Sequence, residues 1–138
     1  MFAIRPAEET DLEEIWRIQS ASEQASQWKP ADYMQHTCLV ACVNDRMAGF
    51  AVARRVAADE IEILNVAVDP VFRRRGAGRA LVRELIGKSP GTVYLEVRQS
   101  NVAARKLYHS LGFEVISVRP DYYQAPGESA IVMKFHSC

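Results

Sequence analysis

Arg73-Arg74-Arg75-Gly76-Ala77-Gly78-Arg79 stands between an apolar run, Ile61-Glu62-Ile63-Leu64-Asn65-Val66-Ala67-Val68, and a helical pattern carried by Ala77, Leu81 and Leu85. Glycines at positions 76 and 78 let the backbone turn tightly, so several N–H groups point at one spot. The start of the helix adds further unpaired N–H groups and a partial positive charge. Strand, glycine turn and helix start together make a phosphate cradle, and a pyrophosphate suits it best.

Three glycine-rich motifs compete for this stretch. A dinucleotide fingerprint needs a third small residue where Leu81 stands, although Glu96 lies near the ~20-residue offset expected of a ribose-binding acid. A P-loop ending in Gly87-Lys88-Ser89 needs a glycine where Val82 stands. The third pattern, Arg/Gln-x-x-Gly-x-Gly/Ala, is met by Arg73, Gly76 and Gly78 after Val68-Asp69-Pro70. It resembles the motif with which the GNAT N-acetyltransferases bind the pyrophosphate of acetyl-CoA. The resemblance assigns Arg73, Arg74, Arg75, Gly76, Ala77, Gly78 and Arg79 to the cofactor.

The composition is that of an ordinary soluble domain: 138 residues, 49% hydrophobic and 25% charged, with 17 basic and 17 acidic side chains. A balanced charge gives no general attraction to nucleic acid or an anionic membrane. The arginines gather at Arg73, Arg74, Arg75, Arg79 and Arg83, as expected of a local anion site on a neutral protein. No apolar run reaches the ~20 residues of a membrane span and no signal-peptide pattern opens the chain, so a cytosolic protein is expected. Cys38, Cys42 and Cys138 lack C-x-x-C spacing, and His36 with Cys38 lacks a second ligand pair, so thiols without a metal are expected.

Outward from the loop, periodicity predicts one domain over residues 1–138. Strands are expected at Phe2–Arg5, Cys38–Val43, Ala48–Arg55 and Glu60–Val68, with a turn at Asn44-Asp45-Arg46. Thr10-x-x-Glu13 reads as a capping box before a helix with Leu12, Ile15 and Trp16 on one face. A short helix is expected over Pro30–His36. In the strand before the loop, Ile61 and Ile63 carry the apolar phase, and then Leu64, Val66 and Val68 carry the opposite one. Burial of both faces or a β-bulge near Leu64-Asn65 accounts for the fault. Thr92–Arg98 alternates cleanly, Ser100-Asn101 caps a helix that Gly112 stops, and two final strands flank a loop holding Asp121-Tyr122-Tyr123. The order fits a mixed αβ fold with helices on both faces of one sheet.

Two residues ask for a chemical explanation. Glu96 is a carboxylate between Leu95 and Val97 in an apolar strand, read either as an exposed edge position or as a proton acceptor in a cleft. Tyr108 lies twelve positions on in the next helix, where an aromatic is commonly core.

The run Leu95-Glu96-Val97-Arg98-x-Ser100-Asn101-x-x-Ala104-x-x-Leu107-Tyr108-x-x-Leu111-Gly112-Phe113 is similar to the RimI-type ribosomal-protein-alanine N-acetyltransferase branch of that family. So are Asn65-Val66-Ala67-Val68-Asp69-Pro70 and Tyr122-Tyr123 before Ala130-Ile131-Val132-Met133. These matches span most of the C-terminal two-thirds. The N-terminal third adds little beyond Trp28. The resemblance implies a GNAT fold: α+β, with a mixed, mostly antiparallel sheet of about six to seven strands splayed into an acetyl-CoA cleft. It makes Glu96 the general base and Tyr108 the general acid, with backbone groups of Val66, Ala67 and Val68 on the pantetheine arm and Asn101 on the cofactor. Trp28, Tyr122 and Tyr123 are expected to wall an acceptor groove. The expected partners are acetyl-CoA and the N-terminal peptide of a protein, possibly ribosomal, with no metal, nucleic acid or membrane and a monomer or weak dimer. A small-amine acetyltransferase and a non-catalytic CoA- or nucleotide-binding regulatory domain stay open as alternatives.

Overall fold

Seven strands hydrogen-bond into one sheet in the order β1-β2-β3-β4-β5-β7-β6, among the residues that a computed structural model describes, namely 2–22, 25, 27–89, 91–124 and 127–136. They are β1 (Ala3–Pro6), β2 (Thr37–Val43), β3 (Arg46–Ala57), β4 (Glu60–Val68), β5 (Thr92–Arg98), β6 (Glu114–Gln124) and β7 (Gly127–His136). All neighbours are antiparallel except β4 and β5. Helices α1 (Leu12–Ser20) and α2 (Pro30–Tyr33) cover one face, and α3 (Ala77–Lys88) and α4 (Val102–Ser110) the other.

The two faces carry separate cores. Leu81, Val82 and Leu85 of α3 and Tyr108 of α4 pack on Leu95, Val97 and Ile131 of the sheet. Ile15 and Ile18 of α1 and Tyr33 of α2 pack on Val40, Phe50, Val52 and Ala67. The phase fault in β4 has a local cause. Val52 pairs with Asn65 and Ala53 with Ile63, so Leu64 is an extra residue in its strand. The bulge swaps the faces, leaving Ile63 and Val66 on the α3 side and Leu64 and Ala67 on the α1 side.

The parallel pair is short, and this shapes the site. β4 and β5 pair from Glu60↔Thr92 to Ile63↔Leu95, yet β4 runs on to Val68 and β5 to Arg98. Beyond the bulge the two strands diverge and leave a wedge between their C-terminal ends.

Several expectations change. The N-terminal box is formed by Glu8 and Asp11 instead of Thr10 and Glu13, because a 3-10 turn at Glu9–Asp11 precedes α1. The Glu8 N–H donates to Asp11 Oδ2 at 2.8 Å, and Arg5 holds the same carboxylate. Trp16 is 59% exposed, since the buried stripe of α1 runs through Ile15, Ile18 and Gln19. The turn between β2 and β3 is Asn44-Asp45, both at positive φ, and Arg46 already pairs with Val43. Residues 34–36, expected in α2, form a turn beyond its end at Tyr33. Tyr122 and Tyr123 stand in strand β6, because an edge strand accommodates Pro120 without breaking. Cys138 lies outside the described residues, Cys38 is buried with its thiol pushed up to about 12 by burial, and Cys42 is half-buried.

Candidate active site

The arginine–glycine loop begins where β4 ends. Asp69 closes the strand: its N–H donates to the Ala48 carbonyl at 2.7 Å, and its Oδ1 accepts the Val71 N–H at 3.0 Å. Arg17 of α1 donates to Asp69 Oδ2 at 2.8 Å, tying the loop's base to the opposite layer. Phe72 is buried beneath the loop, with the guanidiniums of Arg46 and Arg75 at 5.1 and 5.7 Å from its ring centre. Arg74 and Gly76 both have positive φ, and Gly76 caps α3 at φ 89. That conformation turns the backbone into the helix and is the reason position 76 suits glycine. A Cβ at Gly78 would meet only ordinary contacts, the nearest being Leu107 at 3.5 Å, so the fold itself leaves this position free. Ala77 is buried, Arg73 borders the cleft described next, and Arg79 donates to Ser110 Oγ at 2.9 Å.

An open cleft of about 460 Å³ fills the wedge, bordered by Val66, Ala67 and Val68, Arg73, Asn101 and the end of α1 at Ala21-Ser22. Backbone groups alternate along β4, and the Asp69 N–H and the Ala67 carbonyl turn toward β3. The N–H and C=O groups of Val66 and Val68 therefore face the wedge, where β5 no longer pairs with them. Asn101 also caps α4, its Oδ1 accepting the Ala104 N–H at 3.2 Å, and its amide nitrogen has no hydrogen-bond partner among the described residues.

A smaller cavity of about 80 Å³ adjoins this cleft and brings Glu96, Tyr108 and Tyr123 together with Asn65, Val66 and Asn101. Glu96 accepts a 2.5 Å hydrogen bond from Arg119 of β6, whose guanidinium also lies 4.1 Å from the centre of the Tyr122 ring. The Tyr108 ring packs on Phe113, and burial pushes its hydroxyl up to about 12. Arg98 lies 4.1 Å from the centre of the Tyr123 ring and pairs with Glu128, which also accepts from the N–H and hydroxyl of Ser100. Both tyrosines thus carry an arginine, and their rings meet edge to face at 5.1 Å.

The expected residues do not all converge. Trp28 is 47% exposed and borders neither cavity, although its carbonyl accepts a 2.6 Å hydrogen bond from Gln19. Tyr122 also stands outside the lining. Arg119 and Glu128 hold the site together but carry no sequence signal of their own, whereas Asp69 belongs to the Val68-Asp69-Pro70 strand end read from the sequence. Asn65 did carry one, as an amide in the middle of an apolar strand, by the same reasoning that marks Glu96.

The arrangement can hold a thioester against the Val66 and Val68 backbone, with a carboxylate and a protonated phenol at one small cavity. Known proteins resemble the chain in sequence and fold. The Acetyltransferase (GNAT) family profile matches residues 2–113. The [ribosomal protein bS18]-alanine N-acetyltransferase of Salmonella typhimurium is 41% identical over 135 residues, 90% of each chain. The crystal structure of the Escherichia coli ribosomal-protein-S18-alanine N-acetyltransferase superposes with a TM-score of 0.85 at 35% identity, over 99% of this chain and 94% of that one. A Bacillus subtilis acetyltransferase solved with CoA shares the fold, with a TM-score of 0.88 at 20% identity over the whole of both chains. The chain belongs to the GNAT acetyltransferase family and is an N-acetyltransferase with acetyl-CoA as co-substrate.

Proposed function

We propose that this enzyme acetylates the N-terminal α-amino group of a protein in the cytoplasm, and that the acceptor is a ribosomal protein starting with alanine. The observation that carries the reading is the joining of Glu96, Tyr108 and the unpaired edge of β4 at one small cavity. The amine attacks the thioester carbonyl directly, in a ternary complex. Glu96 takes the proton of the incoming ammonium, itself or through a water, and the Val66 N–H stabilises the developing oxyanion. Tyr108, whose hydroxyl keeps its proton because burial raises it to about 12, protonates the departing thiolate. Gly76, Gly78 and the surrounding arginines hold the pyrophosphate, and Asn101 adds an amide to the cofactor.

The acceptor class follows from the base. An α-amino group has a pKa near 7.7–8.0 and a lysine amine near 10.4, so releasing their protons at pH 7 costs about 1 and about 4–5 kcal/mol. A single glutamate suffices for the first. Relatives named for ribosomal protein bS18 alanine support the same acceptor. The test is a competition among a peptide starting with alanine, the same peptide N-terminally blocked with an internal lysine, and spermidine, followed by thiol release. The free N-terminus is expected to lead in kcat/KM by at least about tenfold, or ~1.4 kcal/mol. A lead by spermidine or the blocked peptide would overturn the N-terminal reading and leave the acetyltransferase intact.

A further inference from the structure

Gln19 of α1, Tyr33 of α2 and Asn65 of β4 are polar side chains, 2%, 1% and 6% exposed, set at the edge of the apolar core between α1, α2 and the sheet. The Tyr33 hydroxyl donates to Gln19 Oε1 at 2.5 Å. The Asn65 amide donates to the same Gln19 oxygen at 3.2 Å and approaches the Tyr33 hydroxyl at 3.0 Å. Gln19 then turns its own amide to the Trp28 carbonyl at 2.6 Å. The Gln27 amide gathers the carbonyls of Gln19 and Ser22 at 3.0 and 3.3 Å.

The placement of this network suggests its purpose. Asn65 follows the bulge residue Leu64 and precedes Val66, whose backbone faces the acetyl-CoA wedge. At its other end the network holds the stretch after α1. From that stretch Ala25 borders both the wedge and the Glu96 cavity, and Ser22 borders the wedge. The network therefore joins the strand that presents the thioester to the wall closing the reaction cavity. Replacing both partners of a buried hydrogen bond by apolar groups of like shape can be nearly neutral for stability, so such a network chiefly fixes one arrangement among several.

We infer that Gln19, Tyr33 and Asn65 are positioning residues that hold Ser22 and Ala25 at a fixed distance from the bulged strand, so that the acceptor amine meets the thioester. The inference rests on the N-terminal acetyltransferase reading. Its test separates a positioning role from a merely structural one. Tyr33→Phe removes one hydroxyl. Gln19→Glu keeps an acceptor for Tyr33 and Asn65 and replaces the donor to the Trp28 carbonyl. Steady-state kinetics are run with the alanine-starting peptide roughly 15 °C below each variant's Tm, so that unfolding does not enter. Both variants are expected to raise the acceptor KM by about fivefold or more and to leave acetyl-CoA affinity within about twofold. A lowered Tm with wild-type KM values in both variants would overturn the inference. If the wild-type enzyme transfers nothing to the peptide, the acceptor reading itself fails, and that outcome is distinct.

Discussion

Glu96 reaches the cavity because it lies on the α1 side of β5, while Val93, Leu95 and Val97 fill the core on the α3 side. Its removal should act on the chemical step alone. Glu96→Gln is expected to lower kcat by about 10²–10⁴-fold, with acetyl-CoA affinity by calorimetry almost unchanged. If Tyr108 protonates the departing thiolate as proposed, Tyr108→Phe should lower kcat more than it alters KM. Near-normal turnover in both variants would remove these residues from the chemistry. The sequence showed both candidates, since a carboxylate within an apolar alternation is costly unless it has a task. Arg119 was not legible. It sits 23 residues from Glu96, and only the pairing of β6 with β7 and of β7 with β5 brings the two together.

At the scale of elements, β4 carries the most information: its phase fault allowed either burial of both faces or a bulge, and the pairing of Val52 with Asn65 and Ala53 with Ile63 shows the bulge. The neighbouring strand holds a constraint that periodicity cannot express. A Cβ built on Gly49 would stand 2.6 Å from the Ala67 carbonyl oxygen and 3.2 Å from the Val68 Cα. Both are backbone atoms and cannot swing aside. Gly49→Ala is therefore expected to push β4 away from β3 at the residues bordering the wedge. The cost should be roughly 1–3 kcal/mol of stability, as for other overpacked sites. Acetyl-CoA affinity should fall with it, as calorimetry on the folded variant would show. Wild-type values for both would mean that the strands give way without consequence. Helix ends were less legible than strands. The Glu8–Asp11 box and the exposed Trp16 follow from a 3-10 turn that shifts the register of α1, and short-range patterns do not distinguish that turn from a first helical turn.

For the whole molecule, burial of weak acids makes stability depend on alkaline pH. Tyr33 and Tyr108 rise from 10.0 to about 12, and Cys38 from 9.0 to about 12, each with burial as the main cause. The folded protein therefore keeps protons that the unfolded chain releases. Their contribution is complete below about pH 9 and is lost as pH rises toward about 12. Denaturant titrations at stepped pH should show stability falling through this window, with a shallower slope in Tyr108→Phe. A slope unchanged by that substitution would exclude Tyr108 from the effect. The strand order β1-β2-β3-β4-β5-β7-β6 was legible only as a mixed sheet. The exchange of β6 and β7 depends on long-range pairing, which neither propensity nor alternation encodes.

The divergence of β4 from β5 has a consequence for the life of the protein. The Val66 and Val68 backbone forms an open border inside the sheet, and in the proposed binding mode the pantetheine amides of acetyl-CoA supply the partners that a neighbouring strand would otherwise give. The donor molecule would then act as a temporary eighth strand beside β4. At a hundredfold excess over its Kd, a ligand bound only by the folded form adds about 2.7 kcal/mol. Resistance to heat and proteolysis should then rise with acetyl-CoA concentration, as thermal melts at stepped acetyl-CoA would show.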